Sequence, residues 1–235
     1  MNPFITNQIK LVFVTGNPKK IDDVYAALIA SGAQNKIALS TLNLPGVVEI
    51  QPDDTLKFKP RTEQQAAVSL AKAKSALEIF FSERGEKVVT DKMLSDLNAG
   101  RLQLVVEDTG FYFGMFGGLP GVNIKSYTEK YGHDKYPTAL LALAESAVTR
   151  GDTGCSYVSS FTAVRYANGK PEFTTYAKEI HGNITNQPSG KGLIDPFFIP
   201  KGETLNVAGL REQGANLDNA HPRFGAIKQL LESVP

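Results

Sequence analysis

Apolar residues run unbroken from Leu11 to Val14 and stop at Thr15-Gly16-Asn17-Pro18. Such a run predicts a buried strand over Ile9–Val14, and the Gly-Asn-Pro break predicts a loop feeding a helix. Pro18 suits the first helical turn, Val24, Leu28 and Ile29 recur at helical spacing, and Gly32 ends the helix. A second strand is expected over Lys36–Leu42. Strand, helix, strand in this order predicts an α/β fold with a mixed or parallel sheet.

Further along, Pro45–Arg61 is irregular and carries Glu49, Asp53 and Asp54. A long helix is predicted over about Thr62–Phe81, with Ala66, Leu70, Ala73, Leu77 and Phe80 on its apolar face and Lys72 on the polar side. Glu83–Gly100 is a charge-rich excursion with a short helix around Met93–Leu97. Leu102, Leu104, Val105 and Val106 then form an apolar strand that reaches Glu107-Asp108 and is expected to stop at a Thr109-Gly110 turn. Phe111–Phe113 and the loop Gly117–Gly121 follow. Pro137–Val148 reads as a helix, and Ser156–Tyr166 and Glu172–His181 as a hairpin turning at Asn168-Gly169. Asp195–Pro200 is a short element with a proline near each end, and Pro222–Ser233 is a final helix. No repeat, linker or composition break divides the 235 residues, so one body is expected.

The formal net charge of +1 gives no excess that would favour nucleic acid or an anionic membrane as the main partner. One cysteine, Cys155, excludes an intramolecular disulfide and a multi-thiolate zinc site, and its apolar surroundings place it in the core. No stretch is apolar and long enough to span a bilayer, and Met1–Lys10 lacks a long apolar h-region. A cytoplasmic protein is the resulting expectation.

Three groups of residues carry candidate chemistry. Thr15-Gly16-Asn17-Pro18-Lys19-Lys20 joins a strand to a helix and reads either as a turn or as a phosphate cradle of backbone N–H groups and lysine charge. The adjacent acids Glu107 and Asp108, with Glu49, read either as solvated turn residues or as oxygen ligands for a hard divalent cation, with Lys20 and Lys72 or Lys74 facing the phosphates. Asn219-Ala220-His221-Pro222-Arg223 offers an imidazole and a guanidinium at a helix start. Asp-Thr-Gly recurs at Asp152-Thr153-Gly154. A protease dyad does not fit, because that copy follows the polar turn Thr149-Arg150-Gly151 and the segment between the copies is too short for a lobe.

Taken in order, Thr15-Gly16-Asn17-Pro18-Lys19-Lys20, Val106-Glu107-Asp108-Thr109-Gly110, Gly117-Gly118-Leu119-Pro120-Gly121-Val122, Asp195-Pro196-Phe197-Phe198 and Ala220-His221-Pro222-Arg223 resemble the inosine triphosphate pyrophosphatase family. The resemblance implies an elongated central mixed β-sheet flanked by helices, in a single two-lobed domain over 1–235 with an active-site cleft. It implies hydrolysis of aberrant purine nucleoside triphosphates (ITP, dITP, XTP) to monophosphate and pyrophosphate, with Mg²⁺ as cofactor, usually by a homodimer. By the same resemblance Thr15, Gly16, Asn17, Lys20 and Lys72 bind the triphosphate, with Lys74 as the alternative to Lys72. Asp195, His221 and Arg223 contact substrate; Glu49, Glu107 and Asp108 hold the metal; and Asp108, with Lys20 and Lys72, is catalytic. The departures lie at the base end. The family's stacking aromatic is Ile194 here, an expected lysine is Asn216, and Pro222 interrupts a Ser-His-Arg triplet. They leave open altered or relaxed base specificity, or a nucleotide sensor without turnover.

Overall fold

The computed structural model describes residues 8–48, 56, 58–130 and 135–234. A seven-stranded mixed sheet runs through the molecule in the order β2-β1-β3-β5-β6-β7, with β4 on the free edge of β3. The strands are β1 (Ile9–Val14), β2 (Ile37–Leu42), β3 (Leu102–Phe113), β4 (Pro120–Gly121), β5 (Gly154–Ala167), β6 (Lys170–Ile184) and β7 (Phe198–Pro200). β1 is parallel to both β2 and β3, while β3, β5, β6 and β7 pair antiparallel in turn. The helices are α1 (Pro18–Ala30), α2 (Arg61–Phe80), α3 (Asp91–Asn98), α4 (Ile124–Lys130), α5 (Thr138–Thr149), α6 (Val207–Glu212) and α7 (Pro222–Ser233).

Side chains alternate across a strand, so the sheet sorts its core into two faces. Leu11, Phe13, Val105, Phe161 and Ala163 pack with α1 and α7 on one face. Val12, Val14, Leu104, Val106 and Val164 pack with α2 and α3 on the other. A third cluster, around Phe111, Phe113, Tyr157 and Phe198, closes the far end with α4 and α5.

Three expectations need correction. β3 does not stop at Thr109-Gly110: β5 pairs with it from Leu104 to Phe113 and carries it straight through. Ile29 is 63% exposed, and the buried side of α1 is Asp23, Val24, Ala27 and Leu28. Lys72 lies on the buried face of α2, beside Gln65, Val68, Ser69 and Ala73, whereas Lys74 is exposed. The charge-rich excursion does hold a helix, α3. It is fixed to β1 by buried Asp96, which pairs with Lys10 and Arg101. Among the described residues no helix is long and apolar enough to cross a membrane.

Candidate functional site

The site forms where one edge of the sheet is left open. β1 covers β3 only as far as Val105, and β4 covers it again from Phe111. Between them, among the described residues, Val106–Gly110 lack a neighbouring strand on that edge. A cavity of about 490 Å³ lies there, bounded by Thr15, Gly16 and Asn17 on one side and Glu107, Asp108 and Thr109 on the other. Clefts at the carboxyl ends of parallel strands are the usual ligand position in α/β sheets.

Neighbouring strand residues point to opposite faces, so the acidic pair straddles the open edge. Glu107 enters the α1–α7 side. It meets Lys20 at 2.6 Å and Arg223 at 3.2 Å, accepts from the Ser159 hydroxyl at 2.7 Å, and is bonded by Thr109. Asp108 enters the α2 side, where Lys72 holds Oδ1 and the Gln65 amide donates to Oδ2. Burial pushes both carboxyls up. Arg223 and Lys20 outweigh it at Glu107, which is held well below the usual carboxylate range. At Asp108 burial exceeds the pull of Lys72 and Lys20, and its pKa is raised. Two adjacent acids with pKa values driven apart can divide the roles of fixed anion and proton acceptor.

The opposite wall is built for an anion. Asn17 caps α1 by accepting from the Lys19 N–H at 3.0 Å, Thr15 accepts from the Asn17 N–H at 3.1 Å, and Pro18 starts the helix. The N-terminus of α1 therefore opens on the cavity with Lys20 one turn in. Among the described residues, five basic side chains, Lys19, Lys20, Lys72, Lys125 and Arg223, line the cavity against three carboxylates, Glu107, Asp108 and Asp195. That excess favours a polyanionic ligand.

At the far end, Asp195 is buried and fully engaged. Lys19 meets Oδ2 at 2.6 Å and Arg211 at 3.5 Å; Tyr157 and His221 each meet Oδ1 at 3.3 Å. Gly192, at φ +125°, leaves room for the Lys19 amine, which a Cβ there would crowd to 2.4 Å. His221 is fully buried and does not reach the cavity. Its Nδ1 accepts from the Arg223 N–H at 3.1 Å, capping α7. The proton is thereby fixed on Nε2, which faces Asp195. Ile194 lines the cavity as an aliphatic side chain packed into the core, and Asn216 Oδ1 accepts from the Asp218 N–H at 2.8 Å. Glu49 lies outside the described residues.

Sequence reasoning missed Asp23, Gln65, Tyr157, Ser159 and Arg211, and named Lys19 only as part of the loop motif. One signal was present: Gln65, Ser69 and Lys72 recur at helical spacing on a single stripe. Asp23 joins Arg211 at 2.7 Å and also Arg223, tying α1 to α6 and α7.

His221 carries a pH signature. Burial drives its pKa below 6.5, against the opposing pull of Asp195. The unfolded chain then takes up this proton first as pH falls. The stability gained by keeping His221 neutral is fully present above pH 6.5 and is lost as pH drops through the folded value. The depressed Asp195 and Glu107 carboxyls act later, below their ordinary values of 3.8 and 4.5. Urea unfolding from pH 7 downward should show stability beginning to fall below pH 6.5 in the wild type, and a flatter profile between 6.5 and the carboxylate range in His221→Asn. Equal slopes in the two proteins would contradict this.

The Ham1 family model matches residues 11–233. The chain is similar to the dITP/XTP pyrophosphatase of Mycobacterium tuberculosis (strain ATCC 25618 / H37Rv), at 28% identity over 227 residues, 96% of this chain and 95% of that protein. It is also similar to the dITP/XTP pyrophosphatase of Pyrobaculum aerophilum, at 26% identity over 88% of each chain. Among solved structures, a HAM1 protein from Coxiella burnetii shares the fold with a TM-score of 0.60 at 16% identity, covering 96% of this chain and 98% of its own. The Staphylococcus aureus Ham1 protein does so with a TM-score of 0.56 at 17% identity, covering 95% and 96%. With the family match spanning nearly the whole chain, this protein belongs to the Ham1 family.

Proposed function

We propose that this chain hydrolyses aberrant purine nucleoside triphosphates of the inosine and xanthosine type to the nucleoside monophosphate and pyrophosphate. The observation that carries the reading is the acidic pair on the open edge of β3, facing the N-terminus of α1 across a cavity with excess positive charge. The dITP/XTP pyrophosphatase relatives support the same chemistry. In this reading the Thr15–Asn17 loop, Lys20, Lys72 and Arg223 take the triphosphate, and Lys20 and Lys72 exchange their carboxylate partners for phosphate oxygens. Asp108, freed from Lys72, orients the attacking water and accepts its proton. Glu107 stays ionised. Positioning and electrostatics supply most of the rate enhancement.

The donor set fits a hard divalent cation. It is all oxygen, and Glu107 Oε2 is buried without a hydrogen bond, met by Lys20 in an ion pair. Glu107 and Asp108 would hold Mg²⁺, with Glu49 as a further ligand. When bound, the ion neutralises charge on the triphosphate and polarises the linkage being broken. The reading extends to one two-lobed domain acting as a homodimer in the cytoplasm, as the sequence resemblance implies.

A second reading concerns the base alone. Ile194 offers no ring to stack on a purine, and Asp195 is engaged by four protein partners. Stacking on an aromatic is worth about 1–3 kcal/mol per base. Relaxed selectivity then predicts kcat/KM values for ITP, XTP, ATP and GTP within about tenfold of one another. Pyrophosphate release from this panel with Mg²⁺ tests both readings. Preference for ITP and XTP by about a hundredfold or more supports the first and removes the second. Nucleotide binding with no release from any of the four removes both and leaves a sensor.

A further inference from the structure

We propose that Gln65, oriented by Tyr112 and given room by Gly110, is the positioning residue for Asp108. The inference rests on the reading of Asp108 as the group that handles the attacking water. Gln65 is fully buried on the sheet-facing side of α2, where an apolar residue is the usual occupant. Its amide nitrogen donates to Asp108 Oδ2, and its amide oxygen accepts from the Tyr112 hydroxyl at 3.0 Å. The tyrosine hydroxyl thus selects which end of the amide faces the carboxylate. An ionised carboxylate only accepts, so a flipped amide would set oxygen against oxygen. Tyr112 is held in turn. It is buried, and the Arg61 guanidinium lies 5.7 Å above its ring while bonding Glu179 at 3.2 Å.

Gly110 supplies an independent sign that the arrangement is built in. Its φ lies in the ordinary range, so its backbone does not require glycine. A Cβ there would fall 2.3 Å from the Gln65 amide oxygen and 2.8 Å from the Tyr112 ring. The missing side chain makes the space in which the two groups meet. With Oδ2 fixed by Gln65, Asp108 keeps Oδ1, now on Lys72, as the oxygen that substrate binding releases toward the cavity. A rotation of Asp108 would aim that oxygen away from a water in line with the reacting phosphorus.

Three variants and one double variant test this with steady-state pyrophosphate release and thermal melting, the wild type measured in parallel. Gln65→Met keeps length and removes both amide groups, and is expected to lower kcat by about 10- to 100-fold with KM changed less than about twofold. Tyr112→Phe frees the amide to rotate and should fall in the same direction, as should Gly110→Ala. Because Tyr112 acts through Gln65, the Gln65→Met/Tyr112→Phe pair should lose no more kcat than Gln65→Met alone. Lower melting temperatures with kcat unchanged, or kcat losses that multiply in the pair, would overturn the proposal. If Gln65→Met does not fold, Tyr112→Phe carries the test by its kcat-against-KM split. Absence of release by the wild type removes the reading of the site itself. Wild-type turnover with unaffected variants removes only the role given to Gln65.

Discussion

Asp108→Asn is expected to lower kcat by two or more orders of magnitude, as loss of an acid–base group commonly does. The fold should survive. Burial already raises the Asp108 pKa, so the native state gains little from its charge. The amide keeps the shape and an oxygen for Lys72, sets its own NH2 against the Gln65 amide nitrogen, and cannot take up a proton from water. A cooperative melt with near-complete loss of pyrophosphate release is therefore the expected result. Turnover within about tenfold of wild type would take Asp108 out of the chemistry and leave it a structural partner of Lys72.

The largest effect on stability is expected at Arg223. Its guanidinium is buried and reaches Glu107 at 3.2 Å, Thr109 at 3.2 Å and Asp23. Arg223→Met leaves two buried acids, each with one remaining strong cation: Lys20 for Glu107 and Arg211 for Asp23. Removing one partner from a buried charge network costs about 3–5 kcal/mol, since the surviving charges stay desolvated. Urea unfolding at neutral pH measures this. Lys228→Met supplies the contrast: it breaks an exposed pair with Asp218 and should change stability by less than about 1 kcal/mol. Equal, small losses in both variants would show that the network around Arg223 does not hold the site together.

What the sequence made legible follows from where local pattern and final environment agree. The apolar run Leu11–Val14 and the Gly-Asn-Pro break are buried strand, loop and capped helix start in the structure. The Asn168-Gly169 turn lies between β5 and β6, both at positive φ. The charge-rich excursion contains its short helix. Helices α4 and α6, of seven and six residues, are too short to impose a period and were not foreseen.

The misreadings share a cause. Helical periodicity assumes that the inward face is apolar, yet the first half of α2 faces Asp108, Ser160 and Thr162 and is polar for that reason. Lys72 consequently reads as solvent-facing while being buried. Thr109-Gly110 has turn composition, but full-length pairing with β5 keeps it extended, and Gly110 marks the close approach of α2 instead. Asp23 carries no local signal, because its arginines lie 188 and 200 positions further along the chain.

The central claim is that the site splits the linkage between the first and second phosphates of a nucleoside triphosphate. Phosphorus NMR of ITP incubated with the protein and Mg²⁺ reads the bond directly. The account predicts inosine monophosphate and pyrophosphate growing together in equal amounts, whereas inosine diphosphate and orthophosphate would contradict it.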